Sequence, residues 1–393
     1  MPGREVGDAV NEPTISERLA GLRMPFDPLL ALAAVGLMAV AIFSLDAAAG
    51  PDEAGNVATR QGVFFAIGTV MAIVLSRMDY SRLRELKYGV YGLMMAGILL
   101  VAAFGGVTRG SRRALQLPFF EVQASELGKV LLIVALAAFA VDRARGLGER
   151  DTTARLVLVA MVPAIMVMAA DLGTGLVYIV ILLAVLFVAG VSWRHFAGLV
   201  ALGAVSITLV LLAAPALGVT VLTREQSERL TSFLHPSEVA GDAGYQQHQS
   251  LIAIGAGGKT GRGVRATQGP LDFLPEQRTD FRFADIAERW GFAGAGLVLS
   301  LYALLIWRGL RILTVAKNLY GALIAGGIVA MLLFQVFINV GMNVGIMPIT
   351  GIPLPLLSYG GSSVIATLLA IGLLQSIYAQ GRVAAATKGR GRF

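Results

Sequence analysis

Apolar residues gather along this chain into ten runs, near residues 26–45, 61–76, 88–106, 120–141, 154–170, 175–191, 196–214, 291–307, 319–345 and 361–380, separated mostly by short polar links. A helix crossing a bilayer core needs about 20 mostly apolar residues. The pattern therefore predicts an all-α, polytopic membrane protein with about ten transmembrane helices. Residues 1–25 are polar and charged and read as a tail, as do residues 381–393, with the transmembrane domain between them at 26–380. One long interruption, residues 215–290, breaks the rhythm. Its first part, LTREQSERLTSFLHPSEVAGDAG, mixes charged and apolar residues and predicts a short amphipathic helix at the membrane interface. Its later patches LIAIGAGG and LDFLP are too apolar for a disordered segment. A loop this long is expected to be functional.

Composition fixes the class. Of 393 residues 56% are hydrophobic and 15% charged, with a mean hydropathy of +0.73. Soluble proteins carry about 25% charged residues, so a soluble enzyme is excluded. The absence of cysteine excludes disulfides, thiol nucleophiles and Cys-ligated metals. His195, His235 and His248 have no metal-ligand spacing. The net charge of +7 would suit a nucleic-acid partner, but its placement argues otherwise. With the N-terminus inside, the inner segments hold 18 Lys and Arg and the short outer loops hold 4. That asymmetry is an orientation signal placing both termini in the cytoplasm, and the long loop then faces outward. The first span lacks a small-residue cleavage site, so it reads as an anchor and not a signal peptide.

Polar groups inside such a chain mark chemistry or structure. Glu126 and Lys129 lie three apart at the start of the fourth span, on one helical face, with Ser125 placed to cap that helix. Ionisable groups in a span cost at least ~2.5 kcal/mol each and usually mark a functional cavity; a self-neutralising pair is the alternative. Arg109, Arg112 and Arg113 stand on the outer side against the general charge rule, which suits an anionic ligand or a solvated loop. Asp171, before Gly-Thr-Gly, is either a helix cap or a functional acid. The stretch INVGMNVGIMPITGIPLPLLSYGGSS, 338–363, has the Gly and Pro density of a broken helix lining a cavity. Its Asn339, Asn343, Ser358, Tyr359, Ser362 and Ser363 offer uncharged hydrogen-bonding groups suited to a sugar.

In LPEQRTDFRFADIAERW, 274–290, seven charges crowd together. Asp280 and Glu276 are flanked by Arg278 and Arg282 and surrounded by several phenylalanines; partly apolar surroundings raise a carboxyl's pKa and make it a useful proton acceptor. An ion-paired surface loop is the alternative. AIGAGGKT, 253–260, nearly matches a phosphate-binding P-loop, but Ala253 stands where the first glycine belongs and no strand–helix context surrounds it. A Gly-rich turn returning a re-entrant segment is the expectation there.

Together SELGK at 125–129, DLGTG at 171–175, YQQHQSLIAIGAGG at 245–258, TQGPLDFLPEQRTDF at 267–281 and PITGIPLPLLSYGGSS at 348–363 resemble the SEDS (shape, elongation, division and sporulation) family of RodA/FtsW peptidoglycan polymerases. The resemblance spans nearly the whole chain, and GIPLP with FLPEQ looks like the RodA, or elongation, branch. The chain departs from the family pattern at Ala124, Arg113, Ala170, Arg278 and Arg289; the last two make the pocket more cationic.

The resemblance implies a bacterial inner-membrane glycosyltransferase that polymerises lipid II into β-1,4-linked glycan with inversion. Undecaprenyl diphosphate would be the leaving group. Asp280 matches the family's essential aspartate and would act as base. Lys129, oriented by Glu126, would support the diphosphate with Arg109 and Arg112. Gln268, Glu276, Ser358 and Ser362, within the matching motifs, would complete the substrate-binding set. No cofactor is evident, though a divalent cation suits a diphosphate. The implied partners are a class B penicillin-binding protein and membrane lipids, with no nucleic acid. The rival class is a transporter, a lipid II flippase.

Overall fold

The computed structural model describes residues 25–48, 56–108, 111–116, 121–209, 226–227, 229, 233, 242–266, 274 and 276–390. Each of the ten apolar runs becomes a helix. They are α1 (Pro28–Ala48), α2 (Asn56–Arg77), α3 (Lys87–Phe104), α4 (Ala124–Asp142), α5 (Arg150–Ala170), α6 (Leu172–Val188) and α7 (Trp193–Thr208). After the long loop, whose helix α8 covers Asp242–Gly257, come α9 (Arg282–Val315), α10 (Leu319–Asn343) and α11 (Gly361–Arg390). Eight of these helices are long and apolar enough to cross a membrane, and α6 is a shorter apolar helix.

Helices α4, α10 and α11 are mostly buried, while α1, α2, α3, α5 and α9 keep exposed apolar faces such as Val70, Ile73, Leu99 and Phe104. Burial of a helix on all sides requires apolar residues all round, and α4 supplies them from Val130 to Ala140. Close approach sets the packing of α4 on α6. A Cβ on Gly128 would lie 2.2 Å from Tyr178 Oη, whose proton goes to the Ser125 carbonyl at 3.0 Å. At the far end from Asp280, Asp27 accepts from Arg308 and Tyr80 donates to the α10 cap Asn318 at 3.1 Å.

The structure departs from the expected boundaries in four places. Residues 106–122, read as an outer loop running into a span, hold a small antiparallel sheet: β1 (Gly106–Thr108), β2 (Ser111–Gln116) and β3 (Glu121–Val122), in the order β1-β2-β3. Gly106 pairs with Ala114 and Leu115 with Val122. Helix α4 starts at Ala124 with Gln123 as its cap residue, so Ser125 lies inside the helix and caps nothing. Helix α9 starts at Arg282, not 291, so the charged stretch read as loop is partly helical. The C-terminal tail from 381 continues α11 to Arg390. Of the expected amphipathic helix, Gln226, Ser227, Arg229 and Phe233 are helical, and the rest lies outside the described residues.

Candidate active site

The chain reaches Asp280 through a tight turn. Gln277 N donates to Leu274 O, and both Thr279 N and Phe281 N donate to Glu276 O. The broken segment between α10 and α11 holds this turn from outside. Tyr359 N donates to Arg278 O at 2.8 Å. Ser358 Oγ donates to Thr279 O and accepts from Leu354 N at 2.8 Å. Asn339 Nδ2 and Asn343 Nδ2, one turn apart on α10, both donate to Asp280 O, at 3.0 and 3.2 Å. Asn343 Oδ1 then accepts from Ala284 N at 3.0 Å. Buried backbone groups cannot be left unpaired without cost, and here they define where Asp280 stands. Its side chain is 9% exposed.

Gly351 sits beside that carboxylate with φ 73°, a conformation natural to glycine. A Cβ there would lie 3.3 Å from Arg229 Nη1 and 3.8 Å from Asp280 Oδ2. Arg229 and Asp280 therefore border one point, although some fifty residues separate them in sequence.

Helix α9 is broken at Gly291, whose φ 63° and ψ −158° no helix contains. A break orphans the carbonyls of one half and the N–H groups of the other. The turn after α8 resolves both: Arg262 N donates to Glu288 O, while Phe292 N and Ala293 N donate to Gly258 O and Lys259 O. AIGAGGKT is thus the end of α8 and a Gly-rich turn, preceded by a helix and not by the strand a P-loop needs.

On α4, Lys129 Nζ donates to both oxygens of Glu126, each at 2.8 Å, with the two residues 2% and 1% exposed. Among the described residues Lys129 has no other polar partner, which leaves one of its three N–H groups unspent. The start of α4 is tied to the Asp280 region through α11: Ser362 Oγ accepts from Gln123 N at 3.0 Å and donates to Glu121 O at 2.8 Å. Asp171 is a helix cap, accepting from Thr174 N at 3.1 Å and Thr174 Oγ1 at 3.0 Å. A Cβ on Gly173 would meet Thr350 O at 2.4 Å, so the DLGTG turn lies against the broken segment. A mostly apolar niche lined by Ile98, Val101, Gln123, Met166 and Asp171 opens beside the start of α4.

Asp280, Glu126, Lys129, Ser358 and Ser362 thus gather at one end of the bundle. Ser358 and Ser362 spend their single hydroxyl protons on backbone carbonyls, so they hold the frame and offer no free donor to a sugar. Glu276 is half-buried and accepts from Thr279 Oγ1 at 2.6 Å. Arg112 lies in β2, opposite Val107. Arg109 and Gln268 lie outside the described residues. Among the described residues no group of three His, Asp or Glu could hold a metal ion.

Sequence reasoning missed two features. Gln61 of α2, fully buried, donates to Ser358 O and accepts from Gly360 N, both at 3.4 Å; a lone amide in an apolar span was its only signal. Arg229 beside Asp280 carried no signal beyond its amphipathic surroundings.

The family model described as "Cell cycle protein", for FtsW, RodA and SpoVE, matches residues 24–383. The chain belongs to the FtsW/RodA/SpoVE family. It is 36% identical to the peptidoglycan glycosyltransferase MrdB of Escherichia coli K12 over 359 residues, covering 91% of this chain and 94% of that one. It is 32% identical to the peptidoglycan glycosyltransferase RodA of Treponema pallidum, covering 90% and 98%. A solved structure described as "Structural coordination of polymerization and crosslinking by a peptidoglycan synthase complex" superposes with TM-score 0.74 at 30% identity, covering 91% of this chain and 99% of its counterpart. Within the FtsW/RodA/SpoVE family the RodA-like branch fits. The chain is a multi-pass bacterial membrane protein and a peptidoglycan glycosyltransferase.

Proposed function

We propose that this enzyme polymerises lipid II during cell-wall elongation, with Asp280 as general base. The observation that carries this reading is the setting of Asp280: a nearly buried residue whose carbonyl is held by Asn339 and Asn343, with the preceding Thr279 carbonyl held by Ser358 and Arg229 bordering its side chain. A base must be held at hydrogen-bonding reach of the hydroxyl it deprotonates. In the proposed step Asp280 takes the proton of the acceptor's GlcNAc 4-hydroxyl as that oxygen bonds to the donor's MurNAc C1. The C1–O bond to undecaprenyl diphosphate breaks, the diphosphate leaves with the electron pair, and the α linkage becomes β-1,4.

The departing diphosphate needs fixed positive charge. Lys129, its ammonium aimed by Glu126, would supply it with Arg109, Arg112 and Arg229. The lipid tail would run along exposed apolar helix faces, which gives a reason for the reaction to belong at a membrane. Both termini are assigned to the cytoplasm and the site to the outer side. Similarity to the solved synthase complex supports a class B penicillin-binding protein as partner.

The test is polymerisation in detergent, where no second leaflet exists. Purified protein with its cognate transpeptidase should convert lipid II to long glycan and release undecaprenyl diphosphate. Asp280→Asn should fold normally and lose roughly 10²–10⁴-fold in rate. A variant keeping half its activity would remove Asp280 as base. Absence of glycan, with lipid II scrambling in liposomes that depends on this protein, would favour a transporter.

A further inference from the structure

The nine residues that follow Asp280 and Phe281 carry an ion triad buried in the fold. Arg282, Asp285 and Arg289 are 0%, 2% and 4% exposed. Their spacing of three and four residues puts them on one face of the first half of α9. Arg282 Nη1 meets Asp285 Oδ2 at 2.9 Å, and Arg289 Nε meets Asp285 Oδ1 at 2.8 Å. Each guanidinium also reaches out of α9 to the end of α1. Arg282 Nη2 donates to Ser44 Oγ, whose own proton goes to Ala41 O at 3.1 Å. Arg289 Nη1 donates to Ala47 O at 2.6 Å.

Stability alone does not account for this arrangement. Two guanidinium groups share one carboxylate, and among the described residues Arg282 Nε and Arg289 Nη2 have no hydrogen-bond partner. Well-packed apolar residues in place of a buried ion cluster commonly hold a fold as well or better. What apolar residues cannot supply is direction: a fork of N–H groups meets its acceptors in one orientation only. The segment so oriented starts two residues after Asp280. Its other end is the Gly291 break, which uncouples it from the lipid-facing half of α9. The Asn339 and Asn343 amides fix Asp280 from the α10 side, and the triad fixes the same segment from the α1 side.

We infer that Arg282, Asp285 and Arg289 are positioning residues for Asp280, tethering its segment to the C-terminal end of α1. The inference rests on Asp280 being the base, because a displacement of about 1 Å at a reacting group can cost ~10²-fold in rate.

Three variants test it in the complex with the transpeptidase. Asp285→Asn leaves two buried cations without their anion and should unfold at lower temperature. The triple change R282M/D285L/R289M should regain wild-type thermal stability, yet keep kcat at least tenfold down with KM for lipid II within twofold. Backbone amides at 279–290 should exchange hydrogen faster than in wild type. Wild-type kcat and exchange in the triple variant would overturn the inference. Should the triple variant not fold, Ser44→Ala decides, since it cuts the Arg282 link to α1 and spares the ion pairs. It should speed exchange at 279–290 and lower kcat about threefold, and unchanged values would overturn the inference. The exchange measurement needs no turnover, so it judges the tether even if Asp280→Asn proves active and the base assignment fails.

Discussion

Replacing Ser358 by alanine removes one oxygen and breaks two bonds near the proposed base, Asp280. Thr279 O, one residue before Asp280, loses its donor, and Leu354 N loses its acceptor. Ser358 is 2% exposed, so solvent cannot take the hydroxyl's place. Each buried group left unpaired costs about 1–3 kcal/mol. Two such groups would cost about 2–6 kcal/mol, and with the turn relaxing partly around both the loss should total about 2–4 kcal/mol. A tenfold rate change corresponds to about 1.4 kcal/mol. If the whole loss fell on the geometry of Asp280, kcat would drop by at most ~10³-fold, and a drop of ten- to a hundredfold is expected. Initial rates of glycan formation across a lipid II titration, beside thermal unfolding in detergent, measure both quantities. Lowered stability and kcat at constant KM is the expected pattern. A raised KM at unchanged stability would mean that Ser358 contacts the sugar, and would refute the positioning argument.

Lys129→Met should cripple turnover and Glu126→Gln should be milder; recovery of activity in the double variant, measured by the same rate assay, would make the pair purely structural. Gly291→Ala should sharply lower the yield of folded protein, read by size-exclusion chromatography. Its Cβ would stand 2.4 Å from Gly261 N, and backbone strain alone costs about 1–3 kcal/mol. Because the chain has no cysteine, single cysteines at Gln268 and Ala385 can be probed with an impermeant maleimide on spheroplasts. The first should label and the second should not. At the other end of the bundle, burial would raise the Asp79 carboxyl, but hydrogen bonds from Ser81 and Lys317 outweigh it and hold the pKa below the usual 3.8. A depressed folded pKa stabilises above the unfolded value and is lost as pH falls through the folded one. The stability difference between wild type and Asp79→Asn should therefore vanish in strongly acidic detergent melts.

The spans were legible because lipid imposes a length and a composition that each run carries by itself. The Gly-rich turn, the Asp171 cap and the irregular stretch before α11 were legible too, since glycine, proline and N-cap chemistry act over a few residues. Partners distant in sequence were not legible. Nothing local says that the Ser358 hydroxyl turns to Thr279 and not toward a substrate, or that Ser362 staples β3 to α11. β1 and β3, of three and two residues, are too short for alternation to identify a strand, and the six residues of β2, SRRALQ, do not alternate. Arg282, Asp285 and Arg289 had helical spacing in plain view, yet their charge suggested an aqueous loop. Their mutual pairing is what admits them to the interior.

Across the break in α9 the main-chain atoms Gly258 O, Lys259 O and Arg262 N serve the two half-helices and Arg262 also pairs with Glu288 at 3.7 Å, while the Lys259 and Thr260 side chains stand exposed. Identity at 259 and 260 is therefore unconstrained by the joint itself. In a chain without native thiols, those two positions are natural addresses for a fluorophore or spin label. A probe there would sit at the joint between the half of α9 that follows Asp280 and the half beyond Gly291, and would report any change in how the two are placed during glycan synthesis.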